Sequence, residues 1–340
     1  MKYVYAIIPA ARANQEYEAL AFASPDGRFE VATDGEFAAL ISESSIDGFA
    51  DLPRGQLMRY LTLHQRAVEA LMTGAPVLPV KFGTLLADAE QVRTVLYLGQ
   101  HDFRSALEMV GHRREVDVAV TWEPARLFAE IAQEPRIAAL KVQVAGLSAE
   151  EALQGRIALG EVVKELFDAR RNQLRDELVA EIIPCATRWR LNPLMDDSMV
   201  MNVACLVDAT QEEVLEDRVS DLDQRHNDQL HFRLVGPLPP YSFATVEARV
   251  VGPEDVAQAC ALLDLSGNQS TPEQVKHAYY RLARLYHPDV AGNDAAACAR
   301  FVRLNKAYRL MTEVAQRVPA GDFANNGTPY ILVRVGGPGA

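Results

Sequence analysis

The sequence predicts an α+β protein that continues into a small all-α module. Three observations predict this class. Strand-like and helix-like hydrophobic periods alternate over about the first 120 residues. Asp34-Gly35 lies between two β-rich runs, which is typical of a β-hairpin and therefore of antiparallel pairing. Two amphipathic helical patterns joined by a short loop follow the boundary at Gly252-Pro253, and they predict a helical hairpin.

The composition is that of an ordinary globular protein of about two domains. The chain has 340 residues, of which 49% are hydrophobic and 24% are charged. A chain of this length can bury a stable hydrophobic core without disulfide bonds or a structural metal. A net charge of −12 disfavours broad binding to nucleic acids or to anionic membranes. The four cysteines are scattered and form no CxxC pair, which favours buried thiols in a reducing cytosol. The apolar run Tyr3–Ile8 is too short for a signal peptide, and no run is long enough to span a membrane, so a cytoplasmic protein is expected.

The first predicted domain, residues 1–122, combines strands with two helices. His64 lies on the apolar face of the first helix, where a hydrogen-bonded core histidine is expected rather than a metal ligand. Its predicted strands are Tyr3–Ile8, Phe29–Thr33, Glu36–Ser42, Val77–Lys81 and Val116–Trp122, and its predicted helices are Gly55–Met72 and Asp88–Val110.

The second predicted domain, residues 123–252, begins with helix and ends with strands. Apolar residues at mainly helical spacing predict a long helix from about Ala149 to Ile183. Its apolar face is expected to cover its own core, and a partner-binding helix is the alternative. Three prolines stiffen the turn at residues 236–241. The other predicted elements are strands at Met199–Val207, Gln229–Val235 and Ser242–Val251 and a helix at Gln211–Arg225.

Residues 253–317 are predicted to form a third domain with a charge balance of its own. Over residues 254–317 there are 8 basic and 7 acidic side chains, so this module is nearly neutral and the acidic excess belongs to the preceding residues. A Gly/Pro-rich tail, residues 318–340, follows and contains one strand-like run, Tyr330–Val335.

Two long helices are predicted within this module. The first begins at Pro272, after a cap at Ser270 or Thr271, because a hydroxyl cap followed by proline in the first turn favours a helix start. Pro288 ends this helix. The second helix is predicted from about Asp294 to Thr312, with an apolar stripe along one face.

The loop tripeptide His287-Pro288-Asp289 stands between the strings AYYRLARLY and RFVRLNKAYRLM. This arrangement resembles the J-domain of Hsp40 co-chaperones, with Ala261–Leu265 as its short first helix. In that family the tripeptide is required to stimulate ATP hydrolysis by Hsp70, and the basic face of the preceding helix docks on the ATPase domain. The resemblance therefore implies a stimulating loop made of His287, Pro288 and Asp289. It also implies docking charges at Lys276, Arg281 and Arg284.

Two further strings resemble segments of the gas vesicle GvpL/GvpF family. PVLPVKFGTLL is similar to that family's proline–strand–Arg-Phe-Gly-Thr segment, and FRLVGPLPPYSFA to its Gly-Pro-Trp-Pro-Pro-Tyr-Ser-Phe turn. The resemblance covers about residues 1–247, with Lys81 in place of the usual arginine and Leu238 in place of the usual tryptophan. The family motif residues in this chain are Pro79, Lys81, Phe82, Gly83, Thr84, Gly236, Pro237, Pro239, Pro240 and Tyr241.

The GvpL/GvpF resemblance implies two ferredoxin-like α+β parts with helical additions. It also implies an assembly factor or minor component of the gas vesicle that binds the hydrophobic shell protein and other gas vesicle proteins. Together with a DnaK-type Hsp70 partner, this predicts a non-enzymatic protein of the cytoplasm and gas vesicle, without cofactor, metal, nucleic-acid partner or membrane insertion. No dinucleotide-binding, P-loop or nucleophile-elbow motif indicates catalysis. The alternatives are a general J-domain co-chaperone, a structural vesicle component with an inert hairpin, and a small-molecule enzyme. The only sequence features that favour an enzyme are scattered histidines and acidic residues.

Overall fold

The structure of the chain is a computed structural model with two compact units. The two ends of the chain form the first unit, which contains residues 1–73, 77–109 and 244–340. Residues 110–243 form most of the second unit. The residues that the structure describes are 1–14, 28–73, 75–146, 148–226, 229–265, 270–287, 295–317 and 329–337.

An antiparallel sheet forms the N-terminal part of the first unit. Its strand order is β2-β3-β1-β4, and β5 also pairs with β1, an order found in ferredoxin-like sheets. The predicted hairpin is confirmed, because Asp34 lies opposite Phe37 and Gly35 adopts a φ of +56°, which glycine tolerates. The strands are β1 (Lys2–Pro9), β2 (Phe29–Asp34), β3 (Phe37–Glu43), β4 (Leu78–Pro79) and β5 (Leu85–Leu86).

Two helices belong to this sheet, α1 (Arg54–Leu71) and α2 (Ala89–Val110). Helix α1 buries Leu63, Ala67 and Leu71, which lie four residues apart and therefore on one face. These side chains join the apolar side chains of β1 and β3 in one core cluster. The N-terminal part of the unit is thus held mainly by burial of apolar surface.

The second unit repeats the same sheet order. Its strands follow the order β7-β8-β6-β9, all antiparallel, so the first and third strands of the unit lie in the centre. The sequence of elements, a strand, helices, two strands, a helix and a strand, is that of the ferredoxin-like motif. The elements are β6 (Arg114–Trp122), α3 (Pro124–Ala132), α4 (Pro135–Ala145), α5 (Ala149–Ile182), β7 (Arg188–Leu191), β8 (Met199–Val207), α6 (Glu212–Arg225), β9 (Leu230–Leu238) and the short helix α7 (Tyr241–Ala244).

The C-terminal part of the first unit is a helical module enclosed by two paired strands. Its helices pack around a core that contains Val275, Leu282, Leu304 and Met311. The chain then returns, and the two strands pair antiparallel along their whole length. The elements are β10 (Thr245–Val251), α8 (Pro253–Leu262), α9 (Pro272–Tyr286), α10 (Ala295–Arg317) and β11 (Tyr330–Gly336).

The predicted α+β class and the helical module are confirmed, and several element bounds need correction. The short first helix of the module is Pro253–Leu262 rather than Ala261–Leu265, because Pro253 occupies the first helical turn with two acids beside it. The strand predicted from Ser242 begins at Thr245, since α7 precedes it. Of the strand predicted over Val77–Lys81, only Leu78–Pro79 pairs with β1. Five elements were not predicted, namely β5, α3, α4, β7 and α7.

Candidate functional site: two motif turns and a helical hairpin

The first motif turn, residues 79–84, is closed by its own hydrogen bonds. The Thr84 hydroxyl donates to the carbonyl of Lys81 at 2.7 Å, and the Thr84 amide donates to the same oxygen at 3.2 Å. Gly83 has a φ of +86°, where any side chain would be strained. Pro79 pairs with Ala6 of β1, in a place on a strand end where a missing N–H is tolerated.

An aromatic cluster lies beneath this turn. The ring of Phe82 contacts the rings of Tyr3, Phe49 and His64, with centroids 4.8 to 6.3 Å apart. His64 is buried, and its Nδ1 lies 2.8 Å from the hydroxyl oxygen of Tyr3. Burial in this apolar setting lowers the pKa of His64 to about 4, so the imidazole is neutral at pH 7. The interpretation of His64 as a hydrogen-bonded core histidine is confirmed.

Lys81 connects the first motif turn to the strands that enclose the helical module. Its Nζ lies 3.1 Å from Oε1 of Glu247 on β10, and Arg334 on β11 donates to the other carboxylate oxygen. Burial opposes ionisation of Glu247, but the hydrogen bonds from Arg334 and Lys81 outweigh it and lower the pKa of the carboxyl group. The Lys81 amide also donates to the carbonyl of Val246 at 2.8 Å. An ion pair and a backbone hydrogen bond therefore connect the first motif turn to strand β10, which borders the helical module.

The second motif turn, residues 236–241, approaches strand β6 very closely. A Cβ atom on Gly236 would lie 3.1 Å from the carbonyl oxygen of Glu115, so glycine is the residue that fits. The peptide bond between Gly236 and Pro237 is cis. Pro239 and Pro240 are buried and lead into the short helix that begins at Tyr241.

A buried carboxylate that the sequence analysis missed holds this turn. Glu115 is 1% exposed, and it accepts hydrogen bonds from the amide of Ser242 at 2.8 Å and from its hydroxyl at 2.7 Å. Loss of solvation raises the pKa of Glu115 to about 8, although the bonds from Ser242 oppose the rise. Burial also raises the pKa of Asp117 on the same strand. No local pattern marks Glu115, because a glutamate in a strand usually faces water.

The first long helix of the module begins with a capping box. The Thr271 hydroxyl accepts from the amide of Gln274, whose side chain accepts from the amide of Thr271. Lys276 and Arg284 are exposed, and neither has a side-chain partner among the described residues. Arg281 is exposed too, but it forms an ion pair of 2.9 Å with Asp264. The three predicted docking charges thus lie at the surface of one helix.

Of the predicted stimulating loop, the structure describes His287. It is exposed, directly follows α9 and meets the ring of Phe301 on α10 edge to face at 5.3 Å between centroids. Pro288 and Asp289 lie outside the described residues. Deeper in the hairpin, the rings of Tyr279 and Tyr308 stack at 4.1 Å and join α9 to α10.

The described part of the chain shows neither a metal-binding cluster nor a helix that could span a membrane. Within it, three or more His, Cys, Asp or Glu side chains nowhere converge in a way that would hold a metal ion. None of the helices over the same residues has the length and apolar character required to cross a bilayer. The geometry instead offers surfaces, namely an exposed basic helix and two turns anchored on sheets.

Tandem ferredoxin-like sheets with these two turns, followed by a helical hairpin between paired strands, define an α+β protein that carries a small all-α module. Residues 1–245 match the family described as gas vesicle synthesis protein GvpL/GvpF, and residues 261–318 match the DnaJ domain. The chain therefore belongs to the GvpL/GvpF family, with a DnaJ domain added to it.

Individual relatives match the two parts separately. Gas vesicle protein F of Streptomyces sp. (strain CB03234) is 25% identical over 246 residues, which are 71% of this chain and 98% of that protein. The crystal structure of GvpF from Anabaena sp. PCC7120 has a similar fold, with a TM-score of 0.58 and 21% identity over 71% of this chain and 94% of that one. The chaperone protein DnaJ of Carboxydothermus hydrogenoformans is 37% identical over 70 residues, which are 21% of this chain. The chain spans only 18% of that chaperone's length.

Proposed function

We propose that this protein assists gas vesicle assembly as a non-enzymatic chaperone with two working parts. The GvpL/GvpF part binds the small hydrophobic shell protein and limits its aggregation. The DnaJ domain recruits a DnaK-type Hsp70 to the same place and stimulates its ATPase. The site of action is the cytoplasm, at the growing vesicle.

The observation that carries the proposal is the exposed basic face of α9. Lys276 and Arg284 point to solvent without side-chain partners among the described residues, and His287 follows at the end of the same helix. Cations on a preformed helix speed the encounter with an acidic partner surface and fix its orientation. The pairing of Arg281 with Asp264 predicts that this arginine contributes less to docking than the other two.

A second observation supports joint action of the two parts. The DnaJ domain is inserted between β10 and β11, and Glu247 of β10 contacts Lys81 of the first motif turn. A module held at both ends keeps a recruited Hsp70 close to a bound client, which raises the effective concentration of one for the other. The mechanism is therefore one of fixed proximity rather than of a long flexible tether.

The test uses the full chain, purified shell protein and a DnaK-type Hsp70 with ATP. We expect wild-type protein to suppress light scattering by the shell protein and to stimulate ATP hydrolysis by the Hsp70. His287→Gln should abolish the stimulation and leave the suppression of scattering unchanged. His101→Gln, an exposed histidine on α2, is the matched control and should behave like wild type.

Two outcomes would favour the alternatives. If His287→Gln changes neither ATP hydrolysis nor vesicle yield in cells, the hairpin is inert and the protein is a structural component. If the chain holds unrelated unfolded proteins as well as it holds shell protein, it is a general J-domain co-chaperone.

A further inference from the structure

A groove in the C-terminal part of the first unit has no role in the proposed function. It lies between β10, α8 and α10 and has a volume of 660 Å³. This volume is within the range of roughly 300–1,000 Å³ found for ligand-binding pockets. The side chains that line it include Arg249, Val250, Leu262, Arg303, Lys306 and Arg309.

The floor of the groove is apolar and only partly covered. Val250 of β10 is 37% exposed and Leu262 at the end of α8 is 46% exposed. Leu310 of α10 also lines the groove and is half-buried. Large apolar side chains grouped in a concave surface favour an occupant that removes them from water.

The rim of the groove is cationic. Arg303, Lys306 and Arg309 recur every third residue along α10 and therefore cover about 9 Å of the helix axis. All three are exposed, and none forms an ion pair or a side-chain hydrogen bond with another described residue. Like charges this close repel one another, so an anionic occupant would stabilise the arrangement.

The carboxylates that face the groove compensate this charge only in part. Glu313 forms an ion pair with Arg249, whose Nη2 lies 3.1 Å from Oε2 of Glu313. Asp255 lines the groove as well, but it lies in the first turn of α8, where the helix dipole favours a negative charge. The rim is a local cluster of positive charge on a chain whose net charge is −12.

We propose that this groove binds an acidic segment of a partner protein, one in which Asp or Glu residues alternate with large apolar residues. The carboxylates would pair with Arg303, Lys306 and Arg309, and the apolar side chains would cover Val250 and Leu262. A protein segment fits better than a single-stranded nucleic acid, because none of the described residues that line the groove is an aromatic on which bases could stack. The proposal does not depend on Hsp70 docking, which uses the other long helix.

The experiment measures binding of a short fluorescein-labelled peptide to the full chain by fluorescence anisotropy. The peptide consists of Glu, Leu and Ala, with glutamates one helical turn apart, and a control peptide carries Gln in place of each Glu. We expect the Glu peptide to bind, with an affinity that falls as salt rises, and the Gln peptide to bind at least about tenfold more weakly. The variant Arg303→Glu/Lys306→Glu/Arg309→Glu should weaken binding of the Glu peptide by about tenfold or more.

Two further variants separate the groove from other surfaces. Lys276→Glu/Arg284→Glu, which reverses charges on α9, should leave peptide binding unchanged while lowering stimulation of Hsp70. Leu262→Ser should weaken binding several-fold without altering its salt dependence, because the apolar floor is changed and the rim is not. Far-ultraviolet circular dichroism confirms that each variant is folded, as expected for substitutions at exposed positions.

Several results would overturn the proposal. It fails if wild-type protein does not bind the Glu peptide, if the Gln peptide binds equally well, or if the triple reversal on α10 has no effect. It also fails if an oligothymidylate binds and the triple reversal abolishes that binding alone, since the groove would then be a nucleic-acid site. Loss of peptide binding in the α9 variant would assign the peptide to the Hsp70-docking face instead.

Discussion

At the residue scale, Glu115 joins the second motif turn to β6, one of the two central strands of its sheet. The carboxylate is buried, and both of its oxygens accept hydrogen bonds from Ser242. Burial of an ionised carboxylate is unfavourable, so the folded state favours the protonated form and the pKa rises to about 8. This residue therefore makes the stability of the second unit depend on pH.

The expected pH dependence has a definite sign. The pKa of Glu115 is raised from 4.5 in the unfolded chain to about 8 in the fold, so the folded state holds more protons between these values. Its contribution to stability is complete below pH 4.5 and is lost as the pH rises through 8, by at most about 1.4 kcal/mol per pH unit. Glu115→Gln keeps an acceptor for the Ser242 amide and cannot ionise. The difference in melting temperature between the variant and wild type should therefore move in favour of the variant as the pH rises.

The matched control is Glu216→Gln, an exposed glutamate on α6 in the same unit. Its melting temperature should follow that of wild type at every pH between the two values. If Glu115→Gln also follows the wild-type curve, Glu115 is ionised in the fold at neutral pH and the assignment of its protonation state is wrong.

At the element scale, helix α2 packs on its sheet through the ring of Phe103, and Gly99 leaves the space that this ring occupies. A Cβ atom built on Gly99 would lie 2.2 Å from the ring of Phe103, one turn further along the helix. That ring is fully buried and meets Phe37 of β3 edge to face at 5.7 Å, so it has little room to move. Glycine is present here for packing, although it is unfavourable in the middle of a helix.

Gly99→Ala should consequently destabilise the protein, against the usual preference of helices for alanine. We expect a loss of about 1–3 kcal/mol from overpacking, measured by chemical denaturation. Gly160→Ala in α5 is the control, because a Cβ there meets nothing within 4 Å. It should stabilise its helix by up to about 1 kcal/mol. Equal effects of the two substitutions would show that the ring of Phe103 moves aside at little cost.

At the scale of the whole molecule, the first unit is closed by a strand that lies far along the chain from its partner. Strand β11 returns after the DnaJ domain and pairs with β10, with Leu332 opposite Arg249. Leu332 is 1% exposed and belongs to the core of the helical module together with Tyr330. The strand-like run predicted in the tail is thus part of the module.

Leu332→Ala should therefore lower the stability of the DnaJ domain itself. We expect a loss of about 2–4 kcal/mol from the cavity that the substitution leaves. The measurement is hydrogen exchange, in which amides of α10 should become less protected. Ile331→Ala, the neighbouring residue on the opposite face of β11, is the control and should change α10 much less. Unchanged protection of α10 in Leu332→Ala would mean that the module folds without its closing strand.

Sequence patterns predicted those elements whose signals lie within a few residues. Helix α9 runs over Pro272–Tyr286 and has its predicted cap at Thr271. Strand β8 covers Met199–Val207, the predicted span, and this run is apolar except for Asn202, as is typical of a buried strand. The first helix of the module was placed too late, since its start at Pro253 was interpreted as a domain boundary alone.

The α+β class, the helical hairpin and the family to which the chain belongs could all be inferred from sequence patterns. Tertiary structure alone decided that Glu115 is buried, that β11 closes the DnaJ domain and that Lys81 meets Glu247. Capping, proline stops and hydrophobic period act over one or two turns, so they can be recognised along the chain. Desolvation of a carboxylate and the pairing of distant strands depend on which residues the fold brings together, and no local pattern carries that information.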